Sequence, residues 1–208
     1  MAELRWSWLM LLAMACSSPS PSPSPSPTPS TSTSTMNGDD PTRPPVANPS
    51  VHITAAAARK KHLPAIGFSL DVAWNAMIST PFPAAGSYLV VSGPPGGPLS
   101  LRVLDARGAK DDAALRAIVE REHATDKPLD IGAGTELTLA GAPRRALPYT
   151  TGTSPLTRTG HCAILVTTSR DSLALVFSAG IGNAPDPSCA DTLAHAKLAP
   201  LARSFRLD

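Results

Sequence analysis

The residues of this chain that could do chemistry are few and scattered. His161 stands beside Cys162, and a thiol next to an imidazole can ionise to a nucleophilic thiolate. Neighbours on an extended strand point to opposite faces, so the pair is not placed for a nucleophile–base contact. The other histidines, His52, His62, His123 and His195, show neither i,i+4 nor His-x-His spacing, and no metal site is expected. Ser92–Gly97 is glycine-rich but lacks the Lys-Ser/Thr of a phosphate-binding loop, and its prolines remove amides that such a loop needs. Thr151-Gly152-Thr153-Ser154-Pro155 sets a serine near a glycine without the Gly-x-Ser-x-Gly pattern of a nucleophile elbow. Asp111-Asp112 and Glu120/Glu122 could be posed as acid–base pairs. Read as structure, the first pair starts a helix and the second lies on its exposed face. Arg144 and Arg145 with Arg158 are the candidate functional surface, an anion- or partner-binding patch beside the Thr-rich loop Thr150–Thr159. The competing reading of these three is a solvated edge. No catalytic set and no cofactor follow from these residues.

The elements that must position them alternate between period 2 and period 3.6. A short helical entry is expected over His52–His62, with Pro64 stopping it. Phe68–Trp74 carries Phe68, Leu70, Val72 and Trp74 on one face and reads as a strand. Residues 75–86, with Pro81 and Pro83, read as irregular. Ser87–Ser92 and Leu99–Ala106 are strands around a turn at residues 93–98. Asp111 and Asp112 cap a helix running to about Ala124, with Leu115, Ile118 and Val119 as its apolar stripe. Thr135–Ala140 and Arg144–Thr150 flank a turn at Gly141-Ala142-Pro143. Cys162–Ser169 and Ser172–Ala179 form an apolar hairpin folded at Arg170-Asp171, buried on both faces and therefore central. From Ser188 on, Ala194, Leu198, Leu201 and Phe205 make a helical stripe, with a break expected near Ala199 and a new first turn at Pro200. One antiparallel sheet of about six strands with helices packed on it, an α+β domain, accounts for this order.

The first fifteen residues and the next thirty-five have other compositions. Arg5 precedes an apolar run, Trp6–Ala15, of about ten residues, whereas a membrane-spanning helix needs about twenty. Met1–Ala15 therefore reads as a signal peptide. Leu12-Ala13-Met14-Ala15-Cys16 resembles a bacterial lipobox, which implies lipid on Cys16. Ala13-Met14-Ala15 also fits ordinary signal peptidase, which would cut the same bond without adding lipid. Residues 16–50 are a Ser/Pro/Thr-rich tether expected to be disordered. Its Ser-Pro part favours polyproline II, reaching about 60 Å at about 3.1 Å per residue. Residues 51–208 have the length of one domain. Of the three cysteines, lipidation of Cys16 would leave Cys162 and Cys189 as an even pair. Bridged, they would close a loop of about 28 residues, a constraint worth about 3–4 kcal/mol in the chain-entropy model. The alternative is a buried thiol at Cys162 and a helix-start residue at Cys189. A formal net charge of +2 without a basic cluster excludes nucleic acid as the expected partner. Only 4% aromatic residues also argue against a base- or sugar-stacking platform.

Three stretches of the domain resemble the PsbP-like α/β/α sandwich, found in many exported bacterial lipoproteins. They are the Phe68–Trp74 strand, the strand-turn segment Leu137-Thr138-Leu139-Ala140-Gly141-Ala142-Pro143, and the ending Leu201-Ala202-Arg203-Ser204-Phe205-Arg206-Leu207. The resemblance implies that fold and roles in binding or assembly, and it transfers no site. The expectation is thus a lipid-anchored protein of the bacterial envelope. Ser17 after the cysteine resembles the sorting signal for the outer membrane. The domain would be non-catalytic and bind an envelope protein or a small ligand. A small envelope hydrolase and an inhibitor or immunity-type protein are the alternatives.

Overall fold

The computed structural model describes residues 50–72, 77–79, 87–93, 99–125 and 128–208. The signal segment, Cys16, the tether as far as residue 49, Trp74, the two prolines at 81 and 83, and residues 94–98 lie outside the described residues. The chain runs β1 (Ser50–Ile53), α1 (Ala55–Lys60), β2 (Phe68–Asp71), β3 (Met77–Ser79), β4 (Ser87–Ser92) and β5 (Ser100–Asp105). It continues through α2 (Asp112–Glu122), β6 (Leu129–Ile131), β7 (Thr135–Leu139), β8 (Ala142–Thr151), β9 (Thr159–Thr167) and β10 (Ser172–Gly180). It ends with α3 (Cys189–Ala194), α4 (Leu198–Ser204) and β11 (Arg206–Leu207).

The larger sheet has eight strands, seven in the order β3-β4-β5-β10-β9-β8-β6, with β7 pairing β8 off that path. All its pairings are antiparallel. The apolar β9–β10 hairpin sits in the middle, as its two-faced burial requires: in each strand every residue but the last is buried. A second, three-stranded sheet is β1-β2-β11. The count of about six strands is therefore corrected to eleven among the described residues. The added strands β1, β3, β6 and β11 are two to four residues long, too short for alternation to register. One of them, β3, falls inside the stretch read as irregular.

Two apolar layers flank the larger sheet. On one face Leu104, Leu147, Ala163, Leu165, Ala174 and Val176 pack against Leu115, Ile118 and Val119 of α2. On the other, Leu101, Val103, Ile164, Leu175 and Phe177 join Phe68 and Leu70 of β2 with Leu198, Leu201 and Phe205 of the last helix and its end. Leu115, Ile118 and Val119 are buried as their spacing predicts, and Asp111 caps α2 by accepting from the Ala114 amide at 2.9 Å. Burying each such aliphatic or aromatic side chain contributes about 1.5–3 kcal/mol, so these layers hold the elements in place.

Three boundaries differ from expectation. Residues 50–53 pair with β2 as a strand, and the helix starts only after Thr54, whose hydroxyl accepts from the Ala57 amide at 3.1 Å. The β7–β8 turn is Ala140-Gly141, both with positive φ (52° and 73°), and Pro143 belongs to β8 opposite Thr138. The last helix breaks at His195–Lys197 rather than at Ala199. Pro200 sits in the first turn of α4, where its missing amide would have had no partner within the helix.

Candidate functional site

Cys162 and Cys189 form a disulfide with Cα atoms 4.9 Å apart. Cys162 lies within the buried run of β9, and Cys189 is the first residue of α3. The bridge fixes the helix to the face of the sheet opposite α2. It also removes Cys162 as a nucleophile, while its neighbour His161 projects to the other face.

There His161 belongs to a polar row that crosses the sheet. The register sets Tyr149 of β8 opposite His161 of β9, and His161 opposite Ser178 of β10. Further along, Ser178 faces Ser100 and Ser100 faces Ser92. Residues directly opposed across antiparallel strands share a face. His161 Nδ1 lies 2.8 Å from Ser178 Oγ, and Nε2 lies 2.9 Å from Thr151 Oγ1. The Tyr149 ring stacks on His161 with centroids 4.4 Å apart and 7° between planes. Its hydroxyl meets Nε2 of His123, the residue that ends α2, at 2.9 Å. His123, Tyr149, His161 and Ser178 are all buried. The Ser–His contact has the spacing of an activated nucleophile, but Ser178 is only 5% exposed. This is a network that satisfies polar atoms between sheet and helix. Among the described residues no group of three or more His, Cys, Asp or Glu converges to hold a metal.

The three candidate arginines occupy separate surroundings. Arg145 makes a bidentate pair with Asp112 at the start of α2, with Nε to Oδ1 at 2.8 Å and Nη2 to Oδ2 at 2.5 Å. Its hydrogen bond and charge hold the Asp112 carboxyl below the usual carboxylate range. Arg144, one residue earlier and therefore on the opposite face, donates from Nη1 to the Thr167 carbonyl at 3.2 Å, and its buried Nε has no hydrogen-bond partner. Arg158 pairs with Asp186 and donates to the Ala184 carbonyl. It precedes Thr159, which pairs with Thr151 at the far end of β8, about 20 Å from Arg145 at strand rise. The structure thus does not bring the three together. Of the acidic pairs, Asp111 and Asp112 do start α2, but Glu122 is not on an open face: it is ion-paired with Arg102 of β5.

Among the described residues a groove of about 640 Å³ lies between the β7–β8 turn and the α3–α4 pair. Its volume falls in the range of about 300–1,000 Å³ typical of small-ligand sites. Most of the walls are small or apolar: Leu139, Ala140 and Gly141 from the hairpin, Ala190, Leu193 and Ala194 from α3, Ala199 and Ala202 from α4, with Thr138 of β7 as the one neutral polar side chain of the lining. Arg203 and Arg206 are its charged lining residues. Arg206 is steered by Nη1, which donates to the carbonyls of Arg203 and Phe205. The nearest acid on α3, Asp191, is engaged by its capping box: the Ser188 hydroxyl and amide donate to its carboxylate at 2.7 and 2.9 Å and hold it below the usual range. Sequence reasoning missed this groove because its walls come from two segments about fifty residues apart whose closeness depends on the fold and on the disulfide. The available signal was Arg203 and Arg206, three residues apart in an otherwise Ala- and Leu-rich ending.

No family model matches the chain, and no curated protein matches it. Among solved structures the chain is similar in fold to PsbP. One match is the solution structure of cyanobacterial PsbP (CyanoP) from Synechocystis sp. PCC 6803, at 13% identity with a TM-score of 0.50, covering 78% of this chain and 94% of that one. The domain therefore has the PsbP-like fold, with a mixed architecture of antiparallel sheets and helices.

Proposed function

We propose that this chain is an exported, lipid-anchored protein carrying a non-catalytic binding domain, and that the groove between the β7–β8 turn and α3–α4 is its binding face. The observation that carries the reading is that groove: a largely small-residue and apolar concavity with two guanidinium groups, the Thr138 hydroxyl and no acidic residue among its lining side chains. The location rests on the signal-like Met1–Ala15, the Cys16 that follows it and the Ser-Pro tether. Support comes from the Cys162–Cys189 bridge, since disulfides persist in oxidising compartments outside the cytoplasm. That bridge leaves Cys16 as the third cysteine, available for lipid. By resemblance to lipoprotein sorting, Ser17 directs it to an outer membrane.

Two experiments test this. Cells fed an alkyne fatty acid should label the wild type and not Cys16→Ala. An unlabelled wild type released to the medium sinks the anchor. A photo-reactive residue replacing Ala194 in the groove should capture a ligand or partner in the envelope, identified by mass, while one replacing Arg107 on a loop after β5 should not. Equal yields at both positions would reject the groove as binding face. The hydrolase alternative has one geometric point in its favour, the Ser178–His161 contact. Ester cleavage by the purified chain that disappears in Ser178→Ala would favour it over the binding reading.

A further inference from the structure

We propose that the groove's ligand is a single-chain alkyl carboxylate, an amphiphile whose chain lies on the apolar floor and whose head is held by Arg203 and Arg206. This rests on the reading of the groove as the binding face and adds the chemistry of its occupant. Leu139, Ala190, Leu193 and Ala202 supply a floor without a hydrogen-bonding side chain, which favours a ligand body that asks for none. The small side chains leave room that larger residues would fill, and the volume is that of a small molecule rather than of a protein-sized interface.

Charge selects the head. Arg203 and Arg206 both line the groove, and among the described residues neither has a carboxylate within ion-pair distance. Four other arginines carry an acid partner, Arg102 with Glu122, Arg107 with Asp105, Arg145 with Asp112 and Arg158 with Asp186, whereas Arg203 and Arg206 meet in one concavity that has no acid in its lining. Asp191, the acid of α3, is committed to Ser188, and Asp208, two residues beyond Arg206, meets His52 at 3.0 Å. A guanidinium offers a planar fork that matches a carboxylate through two parallel hydrogen bonds, so an anionic head completes what the fold leaves open. An amphiphile with a cationic head would set like charges together.

The test titrates dodecanoate, below its micelle concentration, into the purified full chain by calorimetry. Dodecyltrimethylammonium serves as the control of equal chain length and opposite charge. The expected result is saturable binding of dodecanoate and none of the cation. Arg203→Glu, at an exposed position that makes no capping bond, should weaken binding by at least about tenfold. Ala194→Trp, also exposed, should block it by filling the groove. Both variants are checked for unchanged melting temperature, so a loss is not one of folding. Absence of saturable binding, equal affinity for the cation, or indifference to both variants overturns the proposal. A photo-adduct at residue 194 that proves to be a protein, with dodecanoate unbound, rejects the ligand class and keeps the groove. Failure of both the adduct and the titration rejects the groove as well.

Discussion

At the scale of single residues, the buried imidazole of His161 is the most demanding group in the domain. It lies beneath a helix end at 6% exposure, with a hydroxyl at each ring nitrogen and a phenol ring stacked on it. A buried polar atom that loses a partner costs about 1–3 kcal/mol. Ser178→Ala removes the hydroxyl at Nδ1 and should lower stability by about that amount in urea unfolding, with the fold otherwise retained. A change within error would show that the Ser178 bond contributes nothing. The Asp112–Arg145 pair offers a pH-dependent contribution. The folded Asp112 carboxyl titrates below its unfolded value, so its contribution is present above the unfolded pKa and is lost as pH falls through the depressed one. A double-mutant cycle of Asp112→Asn and Arg145→Ala should show favourable coupling at about pH 7 that shrinks as pH falls below the unfolded pKa of Asp112. Both side chains are partly exposed, so the coupling will be small and weaker still in salt.

At the scale of elements, local chemistry explains most boundaries. Thr54, Asp111 and Ser188 each cap a helix by accepting an amide three residues on, and Ser188 adds the reciprocal bond from Asp191. The β7–β8 hairpin is the exception. Its two-residue turn needs positive φ at both positions, and Ala140 adopts 52° against the cost of a Cβ in the left-handed region. Asn-Gly is the favoured pair for such a turn, so Ala140→Asn should raise stability by about 0.5–1 kcal/mol, read as a higher urea midpoint at unchanged slope. The alanine misled the reading of the sequence for the same reason. With a residue that disfavours the turn at 140, the apparent turn slid to Gly141-Ala142-Pro143, although Pro143 is tolerated in β8.

At the scale of the molecule, the Cys162–Cys189 bridge joins the central strand to the C-terminal helices. It closes a loop with a sequence separation of 27. In the chain-entropy model its removal, as Cys162→Ala with Cys189→Ala, should cost about 3–4 kcal/mol. Reduction of the wild type by dithiothreitol should shift the unfolding midpoint similarly. Because α3 supplies one wall of the groove, the same change should also weaken whatever the groove holds. Stability that stays constant on reduction would show that α3 docks by packing alone, through Leu198 and Leu201 on the neighbouring α4 and its own Thr192.

The sequence by itself determined the parts that depend on neighbours in the chain. Period-2 burial of Phe68, Leu70 and Val72, the stripe of α2 and the two-faced apolarity of β9 and β10 follow from residue type and spacing, and all stand in the fold. The cysteine pair was legible from count alone, with its competing assignment open until Cys162 and Cys189 were seen bonded. Strands of two to four residues were not legible, since so few residues carry no periodicity and are made by their partners. The candidate arginines lie apart because charge adjacency in sequence says nothing of faces: Arg144 and Arg145 alternate across β8, and each guanidinium finds its own acceptor. The groove and the polar row were decided by tertiary structure alone. His123, Tyr149, His161 and Ser178 meet only through strand register and the end of α2, and Arg203 faces Leu139 only because the bridged helices fold back across the sheet. Sites of this kind are made by distance in space between residues distant in the chain, which no local pattern encodes.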